Sequence, residues 1–228
     1  MGVIAFDVYG TVVDPAGMVI HLRKTFGPLA EQAAQLWREK QLEFCFRRAL
    51  MRRYTDFDAC TAQALAYVTA QLGVNMDEAD RCSLLEAYLR LPCFPDVKPA
   101  LQELKGTGHT LVALTNGTEH SVRALLQYAA IGDCFAMILS ADTIKTFKPD
   151  PAVYELLEQV GVSTGPTWLV SSNPFDVIGA KSFGIRAVWV NRNSERIFDP
   201  WEYTPDVVIG SLQQLCSEIY CTARSAAV

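Results

Sequence analysis

Histidine is scarce in these 228 residues, and the three present, His21, His109 and His120, stand in no motif. A histidine-based hydrolase or a zinc centre therefore has little material. The seven cysteines (Cys45, Cys60, Cys82, Cys93, Cys134, Cys216, Cys221) are odd in number, scattered, and form no Cys-x-x-Cys pair. Neither a disulfide framework nor a zinc knuckle is suggested. Gly-x-Ser-x-Gly and the glycine-rich phosphate loop are absent, and Gly106-Thr107-Gly108 reads as a helix stop. Charged residues interrupt every apolar run before the roughly 18 residues a membrane span needs. There is no basic excess either: 20 Lys and Arg stand against 25 Asp and Glu, a formal charge of −5, so nothing electrostatic points to a nucleic acid. Between Met1 and Asp7 there is no basic leader region or small-residue cleavage site, and a cytoplasmic location is expected.

What is present is a globular composition, 50% apolar and 20% charged, able to bury a substantial core. Val3 to Phe6 is a short apolar run that stops on Asp7 before Gly10-Thr11, a buried strand entering a tight loop. From Pro15 to Pro95 the pattern turns helical, with Leu29, Ala33, Leu36, Trp37, Gln41 and Phe44, then Ala64, Ala66, Tyr67 and Leu72, recurring near a period of 3.6. Pro92 and Pro95 then punctuate the chain, and Asp96 is expected to cap a helix through Leu101 and Leu104 that stops at Gly106. Beyond it, Leu111–Leu114, Ala136–Leu139, Trp168–Val170, Ala187–Val190 and Val207–Ile209 are apolar runs separated mostly by helical stretches. That alternation predicts a doubly wound α/β fold around a parallel sheet. Residues 1–13 and 96–228 form the expected core domain, with 14–95 a helical cap inserted after the first strand, over the sheet edge where such folds place their sites.

Four polar clusters fall at strand ends: Asp7-Val8-Tyr9-Gly10-Thr11, Thr115-Asn116-Gly117, Lys148-Pro149-Asp150-Pro151 and Ser171-Ser172-Asn173-Pro174-Phe175-Asp176. The carboxyl ends of neighbouring parallel strands share one edge, so these clusters can converge. Singly, each also reads blandly, as a strand-end turn, a helix cap or a solvated loop. Arg47, Arg48, Arg52 and Arg53 read as a solvated helix end.

In their order along the chain these motifs, with Lys148-Pro149-Asp150-Pro151-x-Val153-Tyr154, resemble the haloacid dehalogenase superfamily, and its L-2-haloacid dehalogenase branch in particular. Leu36-Trp37-Arg38-Glu39-Lys40-Gln41-Leu42-Glu43-Phe44 extends the resemblance into the cap. It implies a Rossmann-like core, a homodimer and a carboxylate nucleophile, Asp7, that attacks the α-carbon of a small 2-substituted carboxylic acid. The resulting ester is hydrolysed to the inverted 2-hydroxy acid. By the same resemblance Thr11, Tyr154, Ser171 and Asn173 position Asp7, Lys148 and the water, and Asp176 helps activate that water. Thr115 and the N–H groups near Val8 and Tyr9 bind the substrate carboxylate, and Arg38, Asn116 and Phe175 cradle a departing halide. Leu42, Phe57 and Tyr9 are candidates for the apolar wall.

A magnesium-dependent phosphatase competes, yet Tyr9 stands where its second Asp belongs and Ser171-Ser172-Asn173 replaces its late acid, so no metal or other cofactor is expected. A non-catalytic binding member of the family is the third possibility. Two departures bear on the substrate. Thr115 stands where the branch often has Ser. Glu39 stands where it often has Gln, beside Arg38, and an acid there suits an amine leaving group better than chloride. Relatives of the branch open the ring of L-azetidine-2-carboxylate hydrolytically, so the resemblance implies that reaction, by the same Asp7, as the alternative, unless Glu39 lies on the solvent face of its helix.

Overall fold

The computed structural model describes residues 2–219, so Met1 and Cys221 lie outside the described residues. Six strands form one parallel sheet: β1 (Val3–Phe6), β2 (Thr110–Thr115), β3 (Met137–Ser140), β4 (Thr167–Ser171), β5 (Arg186–Val190) and β6 (Val207–Ile209). Their order is β3-β2-β1-β4-β5-β6, so the winding reverses beside β1. This is the expected doubly wound, Rossmann-like α/β fold, and each apolar run of the sequence falls on its strand within one or two residues.

Both faces of the sheet are covered, as continuous apolar strands require. In β1 the side chains alternate: Ile4 and Phe6 join one core, Val3 and Ala5 the other, and all four are buried. Helices α5 (Val97–Lys105), α6 (Glu119–Tyr128), α7 (Pro151–Glu155) and α8 (Pro174–Phe183) follow the helical block and intersperse the later strands.

Between β1 and α5 lie four helices, α1 (Val19–Phe26), α2 (Ala30–Leu50), α3 (Phe57–Gln71) and α4 (Glu78–Tyr88). The chain leaves for them and returns through adjacent strands, since Val13 bridges Cys93 antiparallel, Asp14 N–H donates to Pro92 O at 2.8 Å and Phe94 N–H to Val12 O at 3.2 Å. The buried stripe of α3 is Phe57, Cys60, Thr61, Ala64, Leu65 and Val68, whereas Ala66 and Tyr67, read above as part of the apolar period, are exposed. Leu29 is likewise 37% exposed, just before α2 begins.

Two expected caps are corrected. Asp96 occupies the position before α5 but makes no side-chain cap bond. Its carboxylate is drawn instead to the Arg192 guanidinium, a stronger partner than a helix amide, and also accepts from the Leu212 N–H. At the end of β2 and just past it, it is Thr118, not Thr115 or Asn116, that caps α6, by accepting from Ser121 N–H at 3.2 Å.

Candidate active site

Asp7 follows β1 directly, and its N–H donates to Val170 O at 3.0 Å, extending the ladder to β4 by one step at the point where the winding reverses. Ligands bind in doubly wound sheets at such a switch point. The chain then coils tightly, with Val8 O accepting from the N–H groups of Thr11, Val12 and Val13 at 3.3, 2.9 and 3.0 Å. Gly10, at φ +94°, supplies the left-handed step this coil requires. The coil brings Thr11 back under Asp7.

There Thr11 Oγ1 accepts from Ser172 N–H at 2.8 Å, so its own proton is directed to Asp7 Oδ2, also at 2.8 Å. Asn173 Nδ2 donates to the same Oδ2 at 2.7 Å and to Tyr9 O at 3.1 Å. On the other oxygen, Lys148 Nζ donates to Asp7 Oδ1 at 3.1 Å. Its remaining protons go to Leu114 O at 2.7 Å and Asp176 Oδ2 at 2.8 Å, and Tyr154 donates to Asp176 Oδ1 at 2.9 Å. Three strand ends and two helix starts thus converge on one carboxylate.

The electrostatics follow from burial. Lys148 is only 1% exposed, which alone would lower its pKa, but the facing carboxylates of Asp176 and Asp7 outweigh burial and hold it above its ordinary 10.5. Burial raises the Asp176 carboxyl above its usual range against the pull of Lys148, with Asp7 adding to the rise. Tyr154 is pushed well up by burial and by Asp176, so it acts as a donor. The donor set does not fit a divalent ion: the cation between the two acids is the chain's own Lys148, and Tyr9 and Asn173 stand where further carboxylates would be needed.

Other expected residues organise the backbone around this centre. Asn116 Oδ1 accepts Lys148 N–H at 2.8 Å, Thr115 Oγ1 accepts Gly117 N–H at 3.0 Å, and Ser171 Oγ accepts Asn173 N–H at 3.1 Å. Tyr9 is held between Phe57 and Tyr88, with ring centroids 4.7 and 6.0 Å away, and burial raises its pKa well above the ordinary tyrosine value.

From α2, Arg38 reaches across to donate to Tyr9 O at 3.0 Å and to Gln41 Oε1 at 2.8 Å. A cavity of about 620 Å³ is lined by Gly10, Arg38, Glu39, Leu42, Ser172 and Asn173, among others. Glu39 is exposed on its wall and accepts from Gln35 Nε2 at 2.8 Å, one turn back along α2. Phe175 is not brought to Arg38 in this cavity. It packs edge-on to Phe46 and lines a second cavity of about 540 Å³ with Lys148.

Sequence reasoning missed the support of Arg38. Gln41 is fully buried, donating from Nε2 to Thr61 Oγ1 at 2.5 Å and accepting from Tyr88 at 3.0 Å. The available signal was a polar residue on the apolar stripe of a helix, which must be bonded if buried.

The model of the haloacid dehalogenase-like hydrolases matches residues 1–184. The chain is 39% identical over 225 residues to the (S)-2-haloacid dehalogenase of Pseudomonas sp. (strain YL), covering 98% of this chain and 96% of that protein. It is 38% identical over 207 residues to haloacetate dehalogenase H-2 of Moraxella sp. (strain B), covering 90% and 92%. Among solved structures, the L-2-haloacid dehalogenase of Xanthobacter autotrophicus with chloropropionic acid covalently bound superposes with a TM-score of 0.90 at 33% identity, over 96% of this chain and 98% of that one. A matched span of residues 1–184 and relatives this similar along nearly the whole sequence place the conclusion beyond the motifs alone: the chain belongs to the haloacid dehalogenase-like hydrolase family.

Proposed function

We propose that this chain is an L-2-haloacid dehalogenase in which Asp7 is the nucleophile. The observation that carries the reading is the lone-pair count on Asp7. Oδ2 accepts from both Thr11 and Asn173, whereas Oδ1 accepts only from Lys148 and keeps one lone pair for attack. A carboxylate so oriented and desolvated is a competent nucleophile, and alignment of this kind is worth roughly 7–11 kcal/mol in favourable cases.

Oδ1 forms a bond to the α-carbon as the halide leaves with its electron pair on the opposite side, inverting that carbon. Thr115 and the N–H groups of Val8 and Tyr9 hold the substrate carboxylate, while Arg38 with Asn116 receives the halide, a guanidinium being suited to charge that develops in the transition state. Phe175, packed on Phe46 and lining the other cavity, takes no part in that cradle. Leu42, Phe57 and Tyr9 keep bulk water out. A water oriented by Ser171 and Asn173 then adds to the ester carbonyl carbon, and its proton is drawn toward Asp176, whose raised pKa favours uptake. The acyl–oxygen bond breaks, the proton drawn to Asp176 passes to the departing alkoxide, the second water proton is released as Asp7 returns to its carboxylate, and the 2-hydroxy acid leaves with an oxygen that came from Asp7. Ring opening of L-azetidine-2-carboxylate by the same Asp7, with Glu39 serving the amine that leaves, draws less support, because Glu39 lines the cavity but is exposed and bonded to Gln35.

The helical segment 14–95 is the cap of this site over a core of 1–13 and 96–228. A homodimer is supported by Leu50 and Met51, 86% and 63% exposed at the end of α2, and a cytoplasmic location by the six described cysteines, all free.

The test is chloride release from L-2-chloropropionate, with and without EDTA, beside a generic phosphate ester. Chloride release indifferent to EDTA is expected, and EDTA-sensitive phosphate release would overturn the reading. Asp7→Asn abolishes turnover, and a single turnover in oxygen-18 water yields unlabelled hydroxy acid. Label in that first product would mean that water attacks the substrate directly.

A further inference from the structure

Beside the Thr11 and Ser172 backbone, against Phe94 and Ser172 of the cavity wall, sits a guanidinium that the chemistry above does not use. Arg192 follows β5 and donates from Nη2 to Thr11 O at 3.0 Å and from Nη1 to Ser172 Oγ at 3.2 Å. Its Nε and Nη2 form a fork on the Asp96 carboxylate at 3.0 to 3.2 Å, and its guanidinium carbon lies 4.0 Å from the centroid of Phe94. Asp96 is itself fixed from the far side by Leu212 N–H at 2.8 Å and Ser211 Oγ at 3.3 Å.

The two residues it grips form one of the chains of bonds that hold the nucleophile. Ser172 N–H donates to Thr11 Oγ1, and that hydroxyl donates to Asp7 Oδ2. Shifting either backbone would turn the hydroxyl away and leave Oδ2 with Asn173 as its one donor, so the carboxylate would be less firmly aimed. We infer that Arg192, held by Asp96, is a positioning residue for Asp7, setting the Thr11–Ser172 bond that aims the carboxylate. The inference rests on Asp7 being the nucleophile, as proposed above.

A planar fork is needed, because one rigid group meets acceptors on three separate segments: the exit from β1, the exit from β4 and the start of α5. A lysine carries its donors on one nitrogen and cannot reproduce the spread of Nε, Nη1 and Nη2 over these acceptors. Burial alone would raise the Asp96 carboxyl, but Arg192 and the Leu212 N–H overcome it and hold the group below its ordinary range, so the ion pair is intact at neutral pH. The guanidinium keeps 20% of its side-chain surface exposed, so a small solute can reach its place when it is removed.

The test compares the whole wild-type chain with Arg192→Ala and Arg192→Lys, the latter keeping the charge and most of the packing should the former fail to fold. With L-2-chloropropionate, kcat is expected to fall about tenfold in both while KM stays within about threefold, because the substrate is not touched. Added guanidinium chloride restores part of kcat to Arg192→Ala and none to wild type. Exchange of the Ser172 amide, read without substrate, speeds up in both variants. Unchanged kcat with unchanged Ser172 exchange would overturn the inference, and so would a rise in KM at constant kcat, which would make Arg192 a substrate attractor. Should the wild type itself release no chloride, the proposed function falls, and Ser172 exchange still decides whether Arg192 sets this bond.

Discussion

The ammonium of Lys148 spends all three of its protons inside the protein, on Leu114 O, Asp7 and Asp176. Removing it leaves two buried acids facing each other, a defect that costs about 3–5 kcal/mol when one partner of a buried ion pair is lost. Lys148→Met is therefore expected to lower the unfolding free energy measured in urea by that much and to abolish chloride release. Because the Lys148 pKa is raised, its contribution to stability is complete below about pH 10.5 and is lost as pH rises through the higher folded value. Melting temperatures of wild type and Lys148→Met should converge above that pH, and a constant gap would show that the ammonium contributes nothing. Asp176, also raised, acts in the opposite sense: keeping it ionised costs stability above its unfolded value of 3.8, and that cost eases as pH falls. These residues were legible because each lies at or just past the end of a strand, or on the loop before α7. Asp96 was not, since an acid before a helix reads as a cap while its partner lies 96 residues on. Nor could the place of Glu39 be read, because a step of about 100° along a helix separates a site-facing residue from a solvent-facing one.

Helices α7 and α8 meet at Gly179. A Cβ there would fall inside the Tyr154 hydroxyl and lie 2.7 Å from Pro149 Cβ. Gly179→Ala should cost about 1–3 kcal/mol through overpacking. It should also depress kcat, because Tyr154 must leave Asp176. Urea unfolding and steady-state kinetics check both, and a wild-type kcat would detach Tyr154 from the reaction. Elements were the most legible level of this molecule, since doubly covered strands must be apolar on both faces and so announce themselves as unbroken runs. Helical phase was harder. In α3 the sequence offers apolar residues on several sides, and tertiary packing selected Ala64 and Leu65 over Ala66 and Tyr67.

Two polar latches join the helical block to the sheet. Tyr54 donates to Asp142 at 2.7 Å, while Asp58 accepts from Ser121 Oγ at 2.6 Å and Thr118 Oγ1 at 3.1 Å, setting a carboxylate against the N-terminus of α6, where the helix dipole favours it. The pair Tyr54→Phe and Asp58→Asn should loosen the seam without touching the sheet. Hydrogen exchange at Thr11–Val13 is expected to quicken while the β1 and β4 amides stay protected, and uniform quickening would mean that block and sheet open as one body. The change from an unbroken apolar run to helical spacing from Pro15 made the block legible, but the seam was not, because its bonds pair residues 60 or more positions apart. One geometric fact reaches further. Since the outgoing and returning chains touch at Val13 and Cys93, the four helices hang from a junction only two strands wide. Such a junction lets a different module be spliced in as a cassette while the sheet keeps its register, so substrate range can be rewritten above a chemical centre that never has to change.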